Sequence, residues 1–524
     1  MADLLESAYS GVSEMEILIY SPELRKNLEI LSRMRLKVAV QTSFQLLQTM
    51  LCNDAAWQLE NRYINHRRCF ALIWQLAFSA QMVKTRNERN NLLHPSDLVA
   101  KEYYRVVSDA CDFLGRWQQG LWRNTAFLLL DSREDFKSVL LDLELCTRVM
   151  LTRDASATGL EHIQEYMETA ETSWNDNLED AAQEDEETIK DNLSEKVDRA
   201  HGESKQDGLL ADYILKRMQR DAPNPNGSLP SFVWNSDSRA KVGAYLGCGS
   251  FGAVHMFKWF GLECAKKSFI CESGEQERAF EKEAGVMASL NHPNVVRFIC
   301  CHRDMKERAI VMEYVPTNLH EFIEQRVASS NTGFPFTPMA ALDMISQIAS
   351  GMEYLHRQGV AHRDLKPNNI LVSPITISEL SADGYAKVKL CDFGLAKSNV
   401  PSQTEQQSWV CGAMPWRAPE AFPFEDGMAR SYRPKPADVY GFAIVCSQIL
   451  SGALTPLPDV SPWISLIERI SAPRPERPQL PLNTYPAKLL DLIRKCWDPR
   501  PKERPHFSVI CRCLKEIKIE LLSM

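Results

Sequence analysis

The sequence predicts a multi-domain protein, an all-α helical bundle followed by an α+β domain, and three observations support this. From about residue 21 to 152, apolar residues recur at helical spacing and glycine is scarce. From residue 173 to 238 the chain is first acidic and then rich in proline, asparagine and glycine, as in a tether and linker. From residue 239 onward, a glycine-rich loop is followed by alternating strand-like and helix-like stretches.

Length and composition set the broad class. A chain of 524 residues is longer than one hydrophobic core usually serves. A formal charge of −8 gives no reason to expect nucleic acid or an anionic membrane as a general partner. We find no secretory pattern and no run of about 18 apolar residues, which argues against an export signal or a membrane-spanning helix. The composition predicts a cytoplasmic protein and does not exclude access to the nucleus.

The cysteines predict neither disulfides nor a zinc site. The 15 cysteines are scattered, and no C-x-x-C pair occurs. In a long chain without a secretory signal, we expect them to be thiols in a reducing compartment.

Residues 1–172 are predicted to form the helical bundle. Ser21 and Pro22 mark a helix start, and His94-Pro95-Ser96 marks a break. The four predicted helices cover, in order, Leu28–Met50, Trp57–Phe78, Leu98–Leu114 and Leu121–Met150. Two interpretations stay open: a structural or dimerising bundle, or one that binds a partner or a membrane under control of the second domain. This half carries no catalytic constellation.

Residues 173–238 are predicted to connect the two domains. The acidic run from Glu179 to Thr188 has too few apolar residues to form a core of its own, so we expect a flexible or helical tether. A short amphipathic helix, Leu209–Met218, and a proline-rich linker from Ala222 to Pro230 follow.

The stretch Leu246–Val254 fits the pattern G-x-G-x-x-G-x-V. Glycines at 247, 249 and 252 allow a hairpin backbone to approach phosphate groups, while Leu246 and Val254 flank an adenine ring. Dinucleotide-binding folds share this glycine spacing. Here a strand with a lysine and then a helix with a glutamate follow, which favours a nucleotide-covering hairpin.

Two lysines compete for the role of the strand lysine that neutralises phosphate. An alanine two residues before and an aromatic two residues after favour Lys267 over Lys266, and alternation then puts Ala265 and Lys267 on one face. On the following helix, Glu283 is preferred to Glu281 as the partner carboxylate because of its offset from His292-Pro293-Asn294.

The stretch from Ile310 to Val315 reads as a buried strand that runs into a hinge. Met312 is predicted to border the back of the adenine pocket, and backbone groups of Glu313 and Val315 to bind the purine edge. The complete predicted nucleotide site is Leu246, Gly247, Gly249, Ser250, Phe251, Gly252, Val254, Ala265, Lys267, Met312, Glu313, Val315 and Leu371.

A second constellation lies in the stretch Val360–Val372. His362-Arg363-Asp364 is followed five residues after the aspartate by Asn369, the spacing H-R-D-x-x-x-x-N. Asp392-Phe393-Gly394 supplies a second acid downstream. Chemistry on a polyphosphate bound to Mg²⁺ needs both acids, one to orient an attacking hydroxyl and one to hold metal.

With these motifs, the chain from Arg239 to its end resembles a eukaryotic protein kinase domain. It is similar to the tyrosine-kinase-like group of serine/threonine kinases as plants use them, because Cys496-Trp497, Pro501 and Arg504-Pro505 look like that group's carboxy-terminal signature. The resemblance implies the bilobal protein-kinase fold, ATP and Mg²⁺ as cofactors, and a protein substrate.

The resemblance also implies roles for individual residues. Asp364 would orient the substrate hydroxyl and accept its proton, and Lys366 would contact the transferring phosphate. Asn369 and Asp392 would hold two Mg²⁺ ions. The Leu365-Lys366-Pro367 sequence resembles serine/threonine rather than tyrosine kinases.

The stretch from Asp392 to Glu420 is the predicted activation segment, and Phe393 and Gly394 belong to its start. Arg363 is expected to pair with a phosphate added to one of its hydroxyls, without a choice among Ser398, Ser402, Thr404 and Ser408. Glu420 is expected to pair with Arg504. Asp438 is expected to anchor the stretch Val360–Val372, which resembles the catalytic loop of protein kinases.

Two features depart from the family pattern. Gly412-Ala413 stands where many serine/threonine kinases have Gly-Thr, so a hydroxyl expected near Asp364 is missing. The loop from Pro374 to Tyr385 is longer than the fold requires and reads as a surface insertion.

Two functions therefore remain in competition. The first is an ATP-dependent serine/threonine kinase with a helical regulatory domain, which binds a partner protein or another copy of the chain through its bundle. The second is a catalytically weak, pseudokinase-like switch whose helical bundle binds partners or a membrane. The order of bundle, tether and kinase domain resembles mixed-lineage kinase domain-like proteins, and this likeness rests on architecture alone.

Overall fold

A computed structural model of the chain describes residues 68, 69, 72, 75, 76, 79, 98–118, 132–152, 158–199, 205–218, 241–249, 252–259, 262–269, 274–303, 308–330, 333–375, 381–394, 414–422, 433–457 and 463–523. The chain divides into two compact units, Met1–Arg220 with Leu522–Met524, and Asp221–Leu521. This division falls inside the stretch that the sequence assigns to tether and linker.

The first unit is made of helices in its described part, as predicted. Its helices are α1 (Leu98–Gln118), α2 (Arg133–Thr152), α3 (Thr158–Asp198) and α4 (Lys205–Met218). Consecutive helices pack against each other, with the rings of Phe113 and Phe136 in edge-to-face contact at 4.8 Å between α1 and α2. The predicted helix Leu28–Met50 lies outside the described residues, as do most of the second predicted helix and the first part of the fourth.

The acidic stretch is helical, which is one of the two forms expected for the tether, and its helix packs against its neighbours. Helix α3 is 41 residues long and runs without a break through the predicted boundary at residues 172 and 173. Leu178, Ile189 and Leu193 are buried on one face, while acidic side chains occupy the exposed face. A buried ion pair joins Arg68 to Asp185 (Nε to Oδ2, 3.4 Å). Few apolar residues suffice here because the helix shares the core of its neighbours.

The second unit begins with a five-stranded antiparallel sheet. Its strands are β1 (Lys241–Gly249), β2 (Gly252–Trp259), β3 (Leu262–Phe269), β4 (Phe298–Arg303) and β5 (Arg308–Glu313), in the order β1-β2-β3-β5-β4. Helix α5 (Gly274–Ala288) follows β3 and packs against β4 and β5. This smaller lobe carries the glycine-rich hairpin, the strand lysine and the helix glutamate.

The larger lobe combines a small sheet with helices. Strands β6 (Thr317–Asn318), β7 (Ile370–Pro374) and β8 (Ala386–Leu390) form a three-stranded antiparallel sheet. The helices are α6 (Leu319–Ser329), α7 (Pro338–Arg357), α8 (Pro434–Ser451), α9 (Trp463–Ser471), α10 (Ala487–Cys496) and α11 (Phe507–Ser523). Every residue of α8 from Asp438 to Leu450 is buried, so this helix is the centre of the lobe. The predicted α+β bilobal fold is confirmed.

The long loop between β7 and β8 is attached at both ends. The Ile375 amide donates to the Tyr385 carbonyl (2.9 Å), which extends the strand pairing beyond Pro374. Residues 376–380 lie outside the described residues. Arg326 donates to the carbonyls of Ser381 and Ala382 (3.0 and 2.6 Å) and thereby fastens the end of the loop to α6.

None of the described helices combines the length and the apolar character that crossing a membrane requires.

Candidate active site

The glycine-rich hairpin joins β1 and β2. Gly247 lies opposite Val254 and Gly249 opposite Gly252 in the strand register. A Cβ atom on Gly252 would lie 1.8 Å from the carbonyl oxygen of Ser268 on β3. The third glycine is therefore required by the pairing of β2 with β3, in addition to any role beside phosphate. Ser250 and Phe251 lie outside the described residues.

Strand β3 places its two lysines on different faces. Lys267 donates from Nζ to Glu283 Oε1 on α5 (2.6 Å) and to Asp392 Oδ1 (3.1 Å). Lys266 is also buried, but its ammonium lies 5.4 Å from the ring centre of Phe257. Glu281, the alternative to Glu283, pairs with Arg303 at the surface (2.9 Å). The contacts thus bring together Lys267, Glu283 and Asp392, which are far apart in the chain.

Burial and charge act against each other in this group. Burial works to lower the pKa of Lys267, but the carboxylates of Glu283 and Asp392 outweigh it, and the pKa is raised. Burial raises the pKa of Glu283 despite the ion pair with Lys267, and Glu283 Oε2 is buried without a hydrogen-bond partner. Burial also works to raise the pKa of Asp392, but Lys267 outweighs it, so the pKa is lowered. Lys267 and Asp392 are accordingly held in their charged forms.

Asp438 of the buried helix α8 anchors the catalytic loop, as predicted. Asp438 accepts hydrogen bonds from the amides of His362 (2.9 Å) and Arg363 (2.7 Å). His356 Nε2 lies 2.8 Å from the same carboxylate. His362 donates from Nε2 to the carbonyl of Cys391 (3.1 Å), which ties the catalytic loop to the residue before Asp392.

Asp364, Lys366 and Asn369 form one hydrogen-bonded group. Lys366 Nζ lies 2.7 Å from Asp364 Oδ2. Asn369 Nδ2 donates to Asp364 Oδ2 (2.9 Å) and to the Asp364 carbonyl (2.8 Å). The amide oxygen of Asn369 therefore points away from Asp364. The Asp364 carboxylate is thus held by two nitrogen donors from its own loop.

The start of the predicted activation segment is packed against the catalytic loop. The Phe393 side chain is fully buried, with its ring 5.5 Å from that of His362. Gly394 is half-buried and contributes a backbone hydrogen bond that helps to lower the pKa of Asp392. The hydroxyl residues Ser398, Ser402, Thr404 and Ser408, and the Gly412-Ala413 pair, lie outside the described residues.

The end of that segment is held by two side chains of the larger lobe. Arg504 donates from Nη1 and Nη2 to the two oxygens of Glu420 (2.6 and 2.9 Å), which confirms the predicted pair. Trp416 Nε1 donates to Gln448 Oε1 (2.6 Å). Sequence reasoning missed Gln448, although a lone amide near the end of the apolar run of α8 was a usable signal.

The predicted adenine pocket lies where β5 leaves the small lobe. Met312 is buried and pairs with Ala265 of β3 in the strand register. The Glu313 amide already donates to the Arg297 carbonyl (3.0 Å). Of the two backbone groups of Glu313, only the carbonyl is therefore left to bind a purine. Val315 and Leu371 are half-buried, whereas Leu246 on β1 is 40% exposed.

The side chains around Asp392 suit a hydrated divalent cation. Carboxylate and amide oxygens are the ligands that Mg²⁺ prefers, and Asp392 and Asn369 supply one each. In this group the three carboxylates of Glu283, Asp364 and Asp392 outnumber the two lysines. Among the residues that the structure describes, no set of three or more His, Cys, Asp or Glu is grouped to hold a metal. Mg²⁺ usually takes one or two protein carboxylates together with phosphate and water.

Comparison with known proteins identifies the same half of the chain. The family model described as protein tyrosine and serine/threonine kinase matches residues 240–514. That range holds all the groups described above, from the glycine-rich hairpin to Arg504.

Three relatives illustrate the similarity. A light-sensor protein kinase of Ceratodon purpureus is 30% identical over 463 residues, which is 81% of this chain and 33% of that protein. The serine/threonine-protein kinase STY17 of Arabidopsis thaliana is 28% identical over 288 residues, 54% of this chain and 46% of that protein. The serine/threonine/tyrosine-protein kinase HT1 of the same plant is 34% identical over 241 residues, which is 46% of this chain and 55% of that protein.

The extent of these matches is informative in two ways. The chain spans a third of the length of the Ceratodon protein and about half of the length of the two Arabidopsis proteins. The match to the Ceratodon protein covers more of this chain than residues 240–514 can hold, so it reaches into the helical region before them.

Proposed function

Because this chain belongs to the protein tyrosine and serine/threonine kinase family, we propose that it is an ATP-dependent serine/threonine kinase that transfers the γ-phosphoryl group to a protein hydroxyl. One observation carries the proposal: Lys267 of the small lobe contacts both Glu283 and Asp392, which joins the two lobes at one charged centre. Relatives that carry the names of serine/threonine-protein kinases support the same activity.

The small lobe binds the nucleotide in this proposal. Leu246, Val254 and Ala265 enclose the adenine from above, and Leu371 lies below it. The backbone of the hairpin at Gly247, Gly249 and Gly252 covers the phosphates, and Lys267, oriented by Glu283, neutralises them. The lowered pKa of Asp392 and the raised pKa of Lys267 support this role, because both groups keep their charge at neutral pH.

The large lobe performs the transfer. Bound Mg·ATP supplies the phosphoryl group and the metal charge that offsets negative charge upon it. Asp364 orients the substrate hydroxyl and accepts its proton, and Lys366 stabilises the charge on the transferring group. Asn369 and Asp392 hold the metal ions. The hydrogen bonds that link Asp364, Lys366 and Asn369 support a preorganised arrangement of these donors.

The choice of serine or threonine rests on Lys366, which lies two residues after Asp364 and contacts its carboxylate at 2.7 Å. We assign regulation to Arg363, which would bind a phosphate on Ser398, Ser402, Thr404 or Ser408. In this proposal residues 239–524 form the kinase domain and residues 1–172 a regulatory domain. The helical domain binds a partner protein or a second copy of the chain, and the protein acts in the cytoplasm.

The adjacent lysines of β3 give a matched test of the proposal. Purified full-length protein is incubated with labelled Mg·ATP and a general acceptor protein, and transfer is followed for Lys267→Met and Lys266→Met. Both side chains are buried, but only Lys267 contacts Glu283 and Asp392. We expect Lys267→Met to lower the rate by at least about 100-fold, the usual cost of a lost charge-stabilising donor. Lys266→Met should retain activity.

The same assay includes Asp392→Ala, which should abolish transfer by removing a metal ligand. If the wild-type chain binds Mg·ATP but transfers no phosphate, the protein is a pseudokinase-like switch instead. Equal activity of the two lysine variants would show that Lys267 does not have the role proposed here.

A further inference from the structure

The carboxylate of Glu313, at the end of β5, has two partners on other segments of the chain. Its Oε1 accepts a hydrogen bond from the Arg297 amide (2.6 Å) and pairs with Lys389 Nζ (2.8 Å). Arg297 lies just before β4 in the five-stranded sheet, whereas Lys389 lies on β8 in the three-stranded sheet. One carboxylate oxygen therefore joins the two lobes.

This contact lies at the hinge, where the chain passes from the small lobe to the large lobe. Residues 314–316 connect the end of β5 to β6, which belongs to the three-stranded sheet. Lys389 lies opposite Leu371 in the pairing of β7 with β8, and Leu371 belongs to the proposed adenine site. The Glu313–Lys389 pair thus lies behind the proposed purine pocket.

A second attachment joins the lobes nearby. The Val296 amide donates to the Leu390 carbonyl and the Leu390 amide to the Asn294 carbonyl, both at 2.8 Å. These attachments and the Lys267–Asp392 contact lie on different small-lobe segments, so together they oppose rotation of one lobe against the other. Glu313 supplies the attachment on the hinge side.

The Glu313–Lys389 pair is partly shielded from solvent, so it is expected to contribute measurably. The side chains of Lys389 and Glu313 are 20% and 27% exposed. Burial works to raise the pKa of Glu313, but Lys389 and Arg297 outweigh it, so the pKa is lowered. The Glu313 carboxylate is therefore held in its charged form.

We infer that Lys389 is a positioning residue for the nucleotide: through the Glu313 carboxylate it holds the end of β5 against β8 and so slows nucleotide release. This inference rests on the proposed function and on the predicted contact of the Glu313 main-chain carbonyl with the purine. Lys389 itself does not touch the nucleotide. Its loss frees the hinge end of β5 and weakens the contact of the Glu313 carbonyl with the base.

Release of a fluorescent ADP analogue with Mg²⁺ from the full-length protein tests the inference by stopped flow. We expect Lys389→Met and Glu313→Gln each to raise the dissociation rate constant roughly fivefold, the effect of an ion pair worth about 1 kcal/mol. Glu313→Gln keeps an acceptor for the Arg297 amide. Both changes remove the same Glu313–Lys389 contact. The double variant should therefore release the analogue no faster than either single variant.

Two further variants separate positioning from general loosening. Lys389→Arg keeps the charge and should release the analogue within about twofold of the wild type. Lys387→Met removes a lysine two residues away on the same strand and should also stay within about twofold. The inference is overturned if Lys389→Met releases the analogue at the wild-type rate, if Lys387→Met accelerates release equally, or if the single effects multiply in the double variant. A wild-type chain that binds no nucleotide overturns the proposed function and this inference together.

Discussion

Two residues of the candidate site adopt a backbone conformation that side chains usually avoid. Arg363 has φ 69° and Asp392 has φ 63°, both in the left-handed region. Such conformations typically cost about 1–3 kcal/mol each unless the surroundings enforce them. At Arg363 the enforcing contact is the hydrogen bond from its amide to Asp438. At Asp392 it is the ion pair with Lys267. The cost falls on residues that stand at the proposed point of transfer.

The lowered pKa of Asp392 predicts a pH-dependent contribution to stability. Because the folded state binds the proton of this carboxyl more weakly than the unfolded chain, the contribution is complete above the unfolded pKa of about 3.9. It is lost as the pH falls through the folded value. We therefore expect Asp392→Asn to destabilise the protein at pH 7, and the difference from wild type to shrink as the pH falls below about 4. Urea unfolding at a series of pH values measures it.

Asp491→Asn is a suitable control for that series. Asp491 lies at the surface with its side chain 63% exposed, and its pair with Arg494 is of the kind that contributes little. A difference between wild type and Asp392→Asn that stays constant or grows on acidification would contradict the prediction.

At the scale of elements, helix α7 is positioned by its close approach to β8 and the loop before β4. A Cβ atom on Gly351 would lie 2.9 Å from the Asn294 carbonyl oxygen and 2.9 Å from Leu390 Cδ1. The Asn294 carbonyl cannot retreat easily, because it accepts the Leu390 amide at 2.8 Å. Asn294 Nδ2 also donates to the Val388 carbonyl (3.0 Å). Helix α7, the loop before β4 and strand β8 therefore meet closely at this point.

Gly351→Ala is therefore expected to destabilise the second unit, even though alanine favours helices. The gain in helix propensity is about 1 kcal/mol, whereas overpacking against fixed backbone costs about 1–3 kcal/mol. We expect a net loss of about 1 kcal/mol, measured by thermal unfolding. Gly274→Ala, at the start of α5, is the control: nothing lies within 4 Å of the added Cβ, so stability should be unchanged or slightly higher. A stabilised Gly351→Ala variant would contradict this account.

At the scale of the whole molecule, each compact unit has its own source of stability. In the first unit, Arg68 and Asp185 form an ion pair whose side chains are only 5% and 3% exposed. Removing one member of such a pair leaves a buried charge, which typically costs about 3–5 kcal/mol. In the second unit, a nucleotide at about 100 times its dissociation constant adds about 2.7 kcal/mol.

Calorimetry of the full-length chain should separate these two effects. We expect two thermal transitions, one for each unit, of which Mg·ADP shifts only that of the second unit. Asp185→Ala should lower the midpoint of the first unit's transition and leave that of the second unit unchanged. Glu187→Ala, on the exposed face of the same helix, should have an effect of at most about 0.5 kcal/mol. Equal effects of the two substitutions would show that the buried pair does not hold α3 in the helical unit.

Much of the fold and of the candidate site could be predicted from local patterns. Lys267 was preferred to Lys266 from the alternation of one strand, and Glu283 to Glu281 from an offset along one helix. The Glu420–Arg504 pair and the anchoring role of Asp438 followed from the family resemblance, and the structure contains both. For the acidic stretch, composition predicts a flexible or helical tether, but it does not reveal that Leu178, Ile189 and Leu193 share the core of neighbouring helices.

The sequence by itself determined which chemical groups are present and how they are spaced within each loop, strand and helix. This was possible because hydrogen-bonding chemistry and periodicity act over a few residues. Only the tertiary structure decided that Lys267 reaches Asp392, 125 residues away, and that Glu313 meets Lys389 across the hinge. Such contacts depend on how separate elements pack and on their register, and no local pattern of residues fixes either.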